Sequence, residues 1–303
     1  MYNLLLIASQ ALSFPQQNDI YLEVVDAHID SMQVENEVSH QWVFFAPHEN
    51  EFVANQYVAK LVQKKGGKFV VLRQRGSRYI ALVFANKTLY IDPNRMFTEA
   101  GVRASLTKLN PKTVVDSELF IQAVARATLL GKFVVKQLGG VHLNTKANIN
   151  KTWVAIHNNT NGYEGDGKSG VGDVSIIRYQ SKLDGGALYL IDTANYAVVN
   201  HATHNKVNTK FCDEDDLFFV TDRQDFKQMQ KHHWNAVLQN PIVVIDPEED
   251  DGSLSVYAQM HGVRYINVEA ERELTLPTGK IFGENHLLIQ QKMIDFTFEL
   301  LNK

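Results

Sequence analysis

The stretch Trp42-Val43-Phe44-Phe45-Ala46-Pro47-His48-Glu49-Asn50-Glu51 joins an apolar run to a histidine and a glutamate three residues apart. The apolar run is typical of a buried strand, and it ends at a proline, which cannot donate to a sheet ladder. A helical pattern follows at once over residues 52–65. If that helix begins near Glu49, His48 and Glu51 leave one turn on the same face, because residues i and i+3 are neighbours there. A histidine and a carboxylate at the end of a strand can bind zinc as two of the three protein ligands of an open site.

The composition excludes several other classes of protein. The 303 residues carry a formal net charge of -4, which gives no reason to expect nucleic acid as a partner. The single cysteine, Cys212, excludes a disulfide framework and a structural zinc site built from cysteines. No apolar run is long enough to span a bilayer, so we expect no integral membrane segment. The composition leaves the oligomeric state open.

The first residues allow two interpretations. Leu4-Leu5-Leu6-Ile7-Ala8-Ser9, followed by Ala11, has the apolar character of a secretory signal, but it lacks a basic flank and is interrupted by Gln10. The same residues suit a first strand or a packed terminal segment. Residues 1–18 are therefore expected to be either a remnant signal segment or part of the fold. A periplasmic, secreted or cytoplasmic location stays open.

Strand patterns alternate with helix patterns along the chain. The predicted strands are 20–25, 41–46, 69–72, 79–84, 152–156, 174–179, 187–191, 217–220, 242–245 and 265–268. The predicted helices are 52–65, 116–138, 223–238, 254–261 and 284–301. Such alternation predicts a sheet covered by helices on both faces. We expect one domain over residues 1–303, an α/β/α three-layer sandwich with a mixed, largely parallel central sheet.

The predicted sheet supplies a third metal ligand. His157 follows the predicted strand 152–156 directly, and ligands gather at the carboxyl ends of strands in an open α/β sheet. If this strand neighbours 41–46, His157 meets His48 and Glu51 at that edge. Two histidines and one glutamate leave a fourth position open, which is typical of one catalytic Zn²⁺ per chain. The zinc-protease motif His-Glu-x-x-His is excluded, because Phe52 stands at its last position.

A glycine-rich stretch offers a competing function. Gly162-Tyr163-Glu164-Gly165-Asp166-Gly167-Lys168-Ser169 matches the pattern of a phosphate-binding loop letter by letter. That loop needs a helix that starts at its lysine. Here Gly170-Val171-Gly172-Asp173 and a β-branched run follow, and both oppose a helix. We interpret the stretch as a surface loop and keep nucleotide binding as the less favoured alternative.

The order of these motifs resembles that of a known family, the zinc carboxypeptidase superfamily. The resemblance is to carboxypeptidase A-like proteins, including the succinylglutamate desuccinylase/aspartoacylase branch, and it covers residues 41–271. It is carried by His48 with Glu51, Asp92-Pro93-Asn94-Arg95-Met96-Phe97, the strand-end His157, and Tyr265-Ile266-Asn267-Val268-Glu269. The resemblance implies that the two histidines and Glu51 hold the zinc.

The resemblance also implies roles for residues outside the metal triad. Asn94 and Arg95 match the pair that grips the free carboxylate of the substrate, which suits the planar fork of arginine. Glu269 matches the glutamate that takes a proton from water and passes it to the leaving amine. Glu271, two residues on, is the alternative base if the register differs.

A further arginine is implied for stabilising the oxyanion. Arg73, Arg75 and Arg78 are candidates, and the spacing of Arg78 is nearest to that of the family. Tyr163 and Tyr257 are candidates for the tyrosine that closes over the substrate.

The expected function is that of a zinc metallohydrolase, a protease-like enzyme that cleaves an amide bond next to a free carboxylate. A metallocarboxypeptidase acting on short or cell-wall peptides is the first candidate, and an N-acyl amino acid deacylase is the second. Glu49 departs from the desuccinylase branch, which usually has glycine there, and Pro93 stands where leucine is common. A catalytically inactive relative that keeps the fold as a ligand-binding module is the alternative from another class.

Overall fold

The computed structural model describes residues 27–34, 42–49, 51–159, 189–191, 216–271, 274–275, 281–282 and 284–302. The strands in these ranges are β1 (His28–Val34), β2 (Trp42–Ala46), β3 (Gly67–Arg73), β4 (Ile80–Phe84), β5 (Lys87–Ile91), β6 (Thr152–Asn159), β7 (Tyr189–Ile191), β8 (Leu217–Val220), β9 (Ala236–Gln239), β10 (Arg264–Glu271), β11 (Leu274–Thr275) and β12 (Ile281–Phe282). The α-helices there are α1 (Phe52–Lys65), α2 (Glu99–Leu109), α3 (Glu118–Gln137), α4 (Arg223–Lys231), α5 (Leu254–Met260) and α6 (Glu284–Leu301). The protein therefore belongs to the mixed α/β class.

Eight of the described strands form one mixed sheet in the order β1-β3-β2-β6-β10-β8-β9-β7. Its middle is parallel, because β3, β2, β6 and β10 all run in the same direction. The strands β1 and β8 pair antiparallel at the two sides of this parallel unit. The predicted neighbours, 41–46 and 152–156, do pair as β2 and β6. The carboxyl ends of β2, β6 and β10 consequently lie side by side.

Helices and apolar side chains cover both faces of the sheet. Phe45, Trp153 and other residues of odd number in β2 and β6 face a core that also contains α2, α3, α5 and the β4–β5 hairpin. Phe44, Val154 and the other even-numbered residues face a second core with α1, α4 and α6. This division follows from the alternation of side chains along a strand. Strands with apolar residues on both faces are expected of a buried parallel sheet.

The start of α1 corrects one prediction about the site. The helix begins at Phe52 rather than near Glu49, and Glu51 occupies its N-cap position. His48 therefore precedes the helix and does not share a helical turn with Glu51. The first helical hydrogen bond runs from the Asn55 N–H to the Glu51 carbonyl, 3.1 Å away. A tight turn joins the two residues instead, in which the Glu51 N–H points to the His48 carbonyl at 3.5 Å.

The predicted helix 223–238 is wrong in its second half. The helix α4 ends at Lys231, and His233 adopts a left-handed backbone conformation with φ of 61°, which stops the helix. The chain then forms β9, Ala236–Gln239, whose four residues are all buried. Two adjacent histidines gave no recognisable stop signal, so the apolar residues of β9 were attributed to the helix.

Other elements differ from the prediction as well, and the strands β1 and β5 are among those that were not predicted. Residues 242–245 were expected to form a strand, but Pro241–Val244 is a 3₁₀ helix. Asn240 caps that helix by accepting from the Ile242 N–H, and the proline at its first position favours this turn. The helix α2 was not predicted. It is short, and its Gly101 obscures the helical pattern.

Several predictions lie outside the described residues. These are residues 1–18, the strands 20–25 and 174–179, the glycine-rich loop 162–169 with Tyr163, and the first part of the strand 187–191. In the described part of the chain, no helix combines the length and apolar character that crossing a membrane requires.

Candidate metal centre

Three potential metal ligands meet at the carboxyl end of the parallel strands. His48 follows β2, Glu51 precedes α1, and His157 lies near the end of β6. One ligand atom from each lies within 4.8 Å of the others, and all three side chains are buried. The Nδ1 atom of His157 is 4.0 Å from Oε1 of Glu51, and the two imidazole rings are 5.6 Å apart. Among the described residues, this is the one group of histidine, cysteine and carboxylate side chains that could hold a metal ion.

Buried side-chain amides hold the loop that carries His48. The Gln74 amide is 2% exposed. Its Oε1 accepts from the Glu49 N–H at 3.1 Å, and its Nε2 donates to the Pro47 carbonyl. The Asn55 amide donates to the His48 carbonyl at 3.1 Å. The main chain is thus held at His48 and on both sides of it, which fixes where the imidazole enters the site.

Both histidines are held in the neutral form that binds metals. The pKa of His48 is lowered to about 4, mainly by burial and next by the positive charge of Arg78, while Asp92 and the Arg78 backbone oppose this. The pKa of His157 is lowered well below its usual value by burial, then by His48 and Arg78. At neutral pH both rings therefore offer a nitrogen lone pair.

The donor set fits a divalent transition metal. Two neutral imidazoles and one carboxylate are the ligands of many open zinc sites. The Nδ1 atom of His48 is buried and makes no hydrogen bond of normal geometry with the described residues. A buried polar atom without a partner destabilises the fold, and a bound cation would provide that partner.

Glu269 lies beside the triad. The register of β10 on β6 pairs Glu269 with His157, and both side chains project from the same face of the sheet. Burial raises the pKa of Glu269 to about 7, although the hydrogen bond from Asn267 and the charges of Arg78 and Arg95 act in the opposite direction. A carboxyl group with a pKa near neutrality can both accept and return a proton at physiological pH.

The register of β10 on β6 also places Glu269 and the alternative base, Glu271, at different levels of the sheet. Glu271 pairs with Asn159, two residues beyond His157 along the strands. Each residue of a strand advances the chain by roughly 3.3 Å, so the backbone of Glu271 lies roughly 7 Å further along. Of these two glutamates, Glu269 is therefore the one level with His157, a candidate metal ligand.

The predicted substrate pair lies in a 3₁₀ turn, Pro93–Arg95, which Asp92 caps by accepting from the Asn94 N–H. The side chains of the pair point to different partners. Nδ2 of Asn94 is 3.1 Å from Nε2 of His48. Nη1 of Arg95 is 3.4 Å from the Asp251 carboxylate, and the Arg95 side chain is 42% exposed. Arg95 therefore faces solvent at the edge of the site, whereas Asn94 contacts His48, a candidate metal ligand.

The three candidate arginines occupy different surroundings. Arg78 lies close enough to influence the titration of His48, His157 and Glu269, and it lowers the pKa of all three. Arg73 forms an ion pair with Asp30 at 2.8 Å. Arg75 is exposed in a turn with φ of 52°. Of the three, Arg78 is the arginine whose charge acts on the site.

Tyr257, a candidate for the tyrosine that closes over the substrate, lies elsewhere. Its ring stacks on Trp153 with centroids 6.3 Å apart, and it contacts His261 at 4.3 Å. Trp153 precedes His157 by four residues of β6, which is roughly 13 Å along the strand. Tyr257 therefore packs against the core and is not brought to the triad.

Comparisons with known proteins do not assign the chain to a family. No protein-family model matches the chain. No curated protein matches it either. The resemblance to zinc carboxypeptidases therefore depends on the motifs themselves and on the geometry of the residues that carry them.

Proposed function

We propose that the protein is a zinc-dependent hydrolase that cleaves an amide bond next to a free carboxylate, and that it acts as a metallocarboxypeptidase on short or cell-wall peptides. One observation carries the proposal: a buried glutamate with a pKa of about 7, Glu269, lies on the strand next to His157 and level with it, and His157 belongs to a triad that could hold a metal ion. A proton-transfer group beside a Lewis-acid site is what metal-assisted hydrolysis requires.

The residues of the site have separate roles in the proposed reaction. His48, Glu51 and His157 would hold one Zn²⁺ per chain, and the ion would supply the Lewis acidity that polarises a carbonyl and acidifies water. Glu269 accepts the proton of the attacking water through its carboxylate and returns it to the nitrogen of the leaving amine. Each cleavage consumes one water molecule. Its hydroxyl becomes part of the new carboxylic acid, and its remaining hydrogen goes to the released amine.

Two arginines support this chemistry by their charge. Arg95 reaches solvent at the edge of the site and provides a guanidinium for the carboxylate of the substrate. Arg78 places a positive charge near the triad and Glu269, where it would stabilise the oxyanion that develops on the carbonyl.

The layered fold and the family belong to the same proposal. Separate apolar cores on the two faces of the sheet support a three-layer α/β/α sandwich of the zinc-carboxypeptidase type in one domain. The position of the triad at the carboxyl ends of neighbouring parallel strands supports it as well, since such edges commonly bind ligands.

A substrate panel tests the proposal. Zinc-loaded protein should hydrolyse N-blocked dipeptides with a free carboxyl end, and kcat/KM should fall at least about 100-fold when that end is amidated. Arg95→Ala should remove this preference, whereas Arg103→Ala, on the outer side of α2, should retain it.

The other outcomes are equally informative. Hydrolysis of N-acyl amino acids alone would favour the deacylase instead. Zinc-loaded protein that binds these compounds without cleaving them would contradict an enzyme and favour a ligand-binding relative.

A further inference from the structure

The side chain of Asn94 contacts a metal ligand directly. Its Nδ2 atom lies 3.1 Å from Nε2 of His48, whose side chain is only 1% exposed. The resemblance to carboxypeptidases assigns Asn94 to the carboxylate of the substrate. The observed contact is instead with Nε2, the imidazole nitrogen across the ring from Nδ1, and Nδ1 makes no hydrogen bond of normal geometry within the described part of the chain.

The neighbouring residues fix the position of this amide. Pro93 begins the 3₁₀ turn, and Asp92 caps it through the Asn94 N–H at 2.9 Å. The Asp92 N–H is bonded in turn to the Ser105 hydroxyl of α2 at 3.1 Å. The Asn94 carbonyl accepts from Nη1 of Arg95 at 3.0 Å. The amide therefore projects from a turn that is held at both its carbonyl and its N–H.

The amide can meet Nε2 in two orientations with opposite consequences. With its NH₂ group towards the ring, Nε2 accepts, and neutral His48 must carry its proton on Nδ1. Nδ1 is buried and makes no hydrogen bond of normal geometry with the described residues, although the Arg78 main chain lies close enough to the ring to raise its pKa. With the amide rotated by half a turn, Oδ1 accepts from Nε2–H, and Nδ1 presents a lone pair. Only the second arrangement leaves Nδ1 ready for a cation.

We propose that Asn94 is a positioning residue that selects the metal-binding tautomer of His48, rather than a ligand of the substrate carboxylate. The inference rests on the proposed function, because it requires that the triad binds a metal. The Asn94 amide takes the second orientation before any metal binds: its Oδ1 accepts from Nε2–H, and the ring is fixed with Nδ1 towards the ion. Arg95 then acts on the carboxylate of the substrate without Asn94.

Zinc affinity in three variants tests this role. Competition with a chromophoric chelator measures the affinity of wild type, Asn94→Ala, Asn94→Asp and the control Asn86→Ala. Asn94→Ala should bind zinc about 10- to 100-fold more weakly, as expected when the group that orients a ligand is lost. Asn94→Asp should restore the affinity, because a carboxylate also accepts from Nε2–H. Asn86 is exposed in the turn between β4 and β5, and its loss should change nothing.

A second readout does not depend on catalysis or on the metal. Long-range proton–nitrogen correlation spectra of histidine-labelled, metal-free protein report which ring nitrogen of His48 carries the proton. We expect Nε2–H in wild type and in Asn94→Asp, and a mixture of tautomers in Asn94→Ala. A His48 ring that carries its proton on Nδ1 in wild type would overturn the inference.

The remaining outcomes separate the two proposals. If wild type binds zinc and Asn94→Ala binds it equally well while KM alone rises, Asn94 contacts substrate, and the positioning role is wrong although the metal centre stands. If wild type binds no zinc, the proposed function fails, and the inference that rests on it fails with it.

Discussion

The buried carboxyl group of Glu269 should make the metal-free protein less stable as the pH rises towards neutrality. Its pKa is raised from the usual 4.5 to about 7 in the folded protein, chiefly by burial. Between these two values the folded chain binds more protons than the unfolded chain, so the free energy of unfolding falls as the pH rises. The loss is complete above about pH 8. The difference between the two pKa values corresponds to about 3 kcal/mol.

Glu269→Gln removes the titrating group but keeps an oxygen that can accept from the Asn267 amide, 3.0 Å away. We expect the variant to be more stable than wild type by about 3 kcal/mol above about pH 8, and equal to it below about pH 4. Urea unfolding of both proteins with a chelator present, repeated across this pH range, measures the difference. A difference that is independent of pH, or that is largest in acid, would refute the assignment of the buried charge to Glu269.

Three other substitutions test separate parts of the account. Gln74→Ala removes the buried amide that holds the metal-ligand loop, so urea unfolding should show a loss of about 1–3 kcal/mol; an unchanged midpoint would contradict the role of this amide. Gly101→Ala would place a Cβ 2.1 Å from the Gly252 Cα, so it should destabilise by at least about 1 kcal/mol, and a variant with wild-type Tm would show that the two backbones are not in contact. Arg78→Ala should lower kcat/KM about 100-fold, while Arg75→Ala keeps the wild-type value; equal effects would remove the special role of Arg78.

The general form of the site could be predicted from the sequence. His48 and His157 each follow an apolar run, and such runs predict neighbouring buried strands whose carboxyl ends meet. The structure brings both histidines and Glu51 within 4.8 Å of one another. The local reason given for Glu51 was wrong, since this residue caps α1 instead of sharing a helical turn with His48. Glu51 and His48 are close in space all the same, because the N-cap of α1 lies next to the end of β2.

The surroundings of the ligands could not be predicted in the same way. Gln74 reaches the metal-ligand loop from the end of β3, and Asn94 reaches His48 across 46 residues of sequence. Neither contact has a periodic pattern, because each depends on where two loops come together in space. The choice of Arg78 over Arg73 likewise follows from tertiary contacts, since Asp30 of β1 pairs with Arg73.

The remaining errors in the fold have local causes. The sequence pattern extended α4 through residues 232–238 because nothing in it marks the left-handed conformation of His233. The helix α2 was missed because its buried side is made of small and polar residues, including Gly101 and Ser105, beside Val102 and Leu106. Gly101 has no side chain, which lets the Asp251–Gly252 backbone approach it closely, and this close approach depends on the tertiary fold.

The metal content of purified protein tests the central claim most directly. Wild type should contain about one zinc per chain, His157→Ala should lose nearly all of it, and the exposed His142→Ala should retain it. Glu269→Gln should keep its zinc and yet fail to hydrolyse any peptide or N-acyl amino acid that wild type cleaves. Wild-type protein that is free of metal and takes up no added zinc would contradict the account.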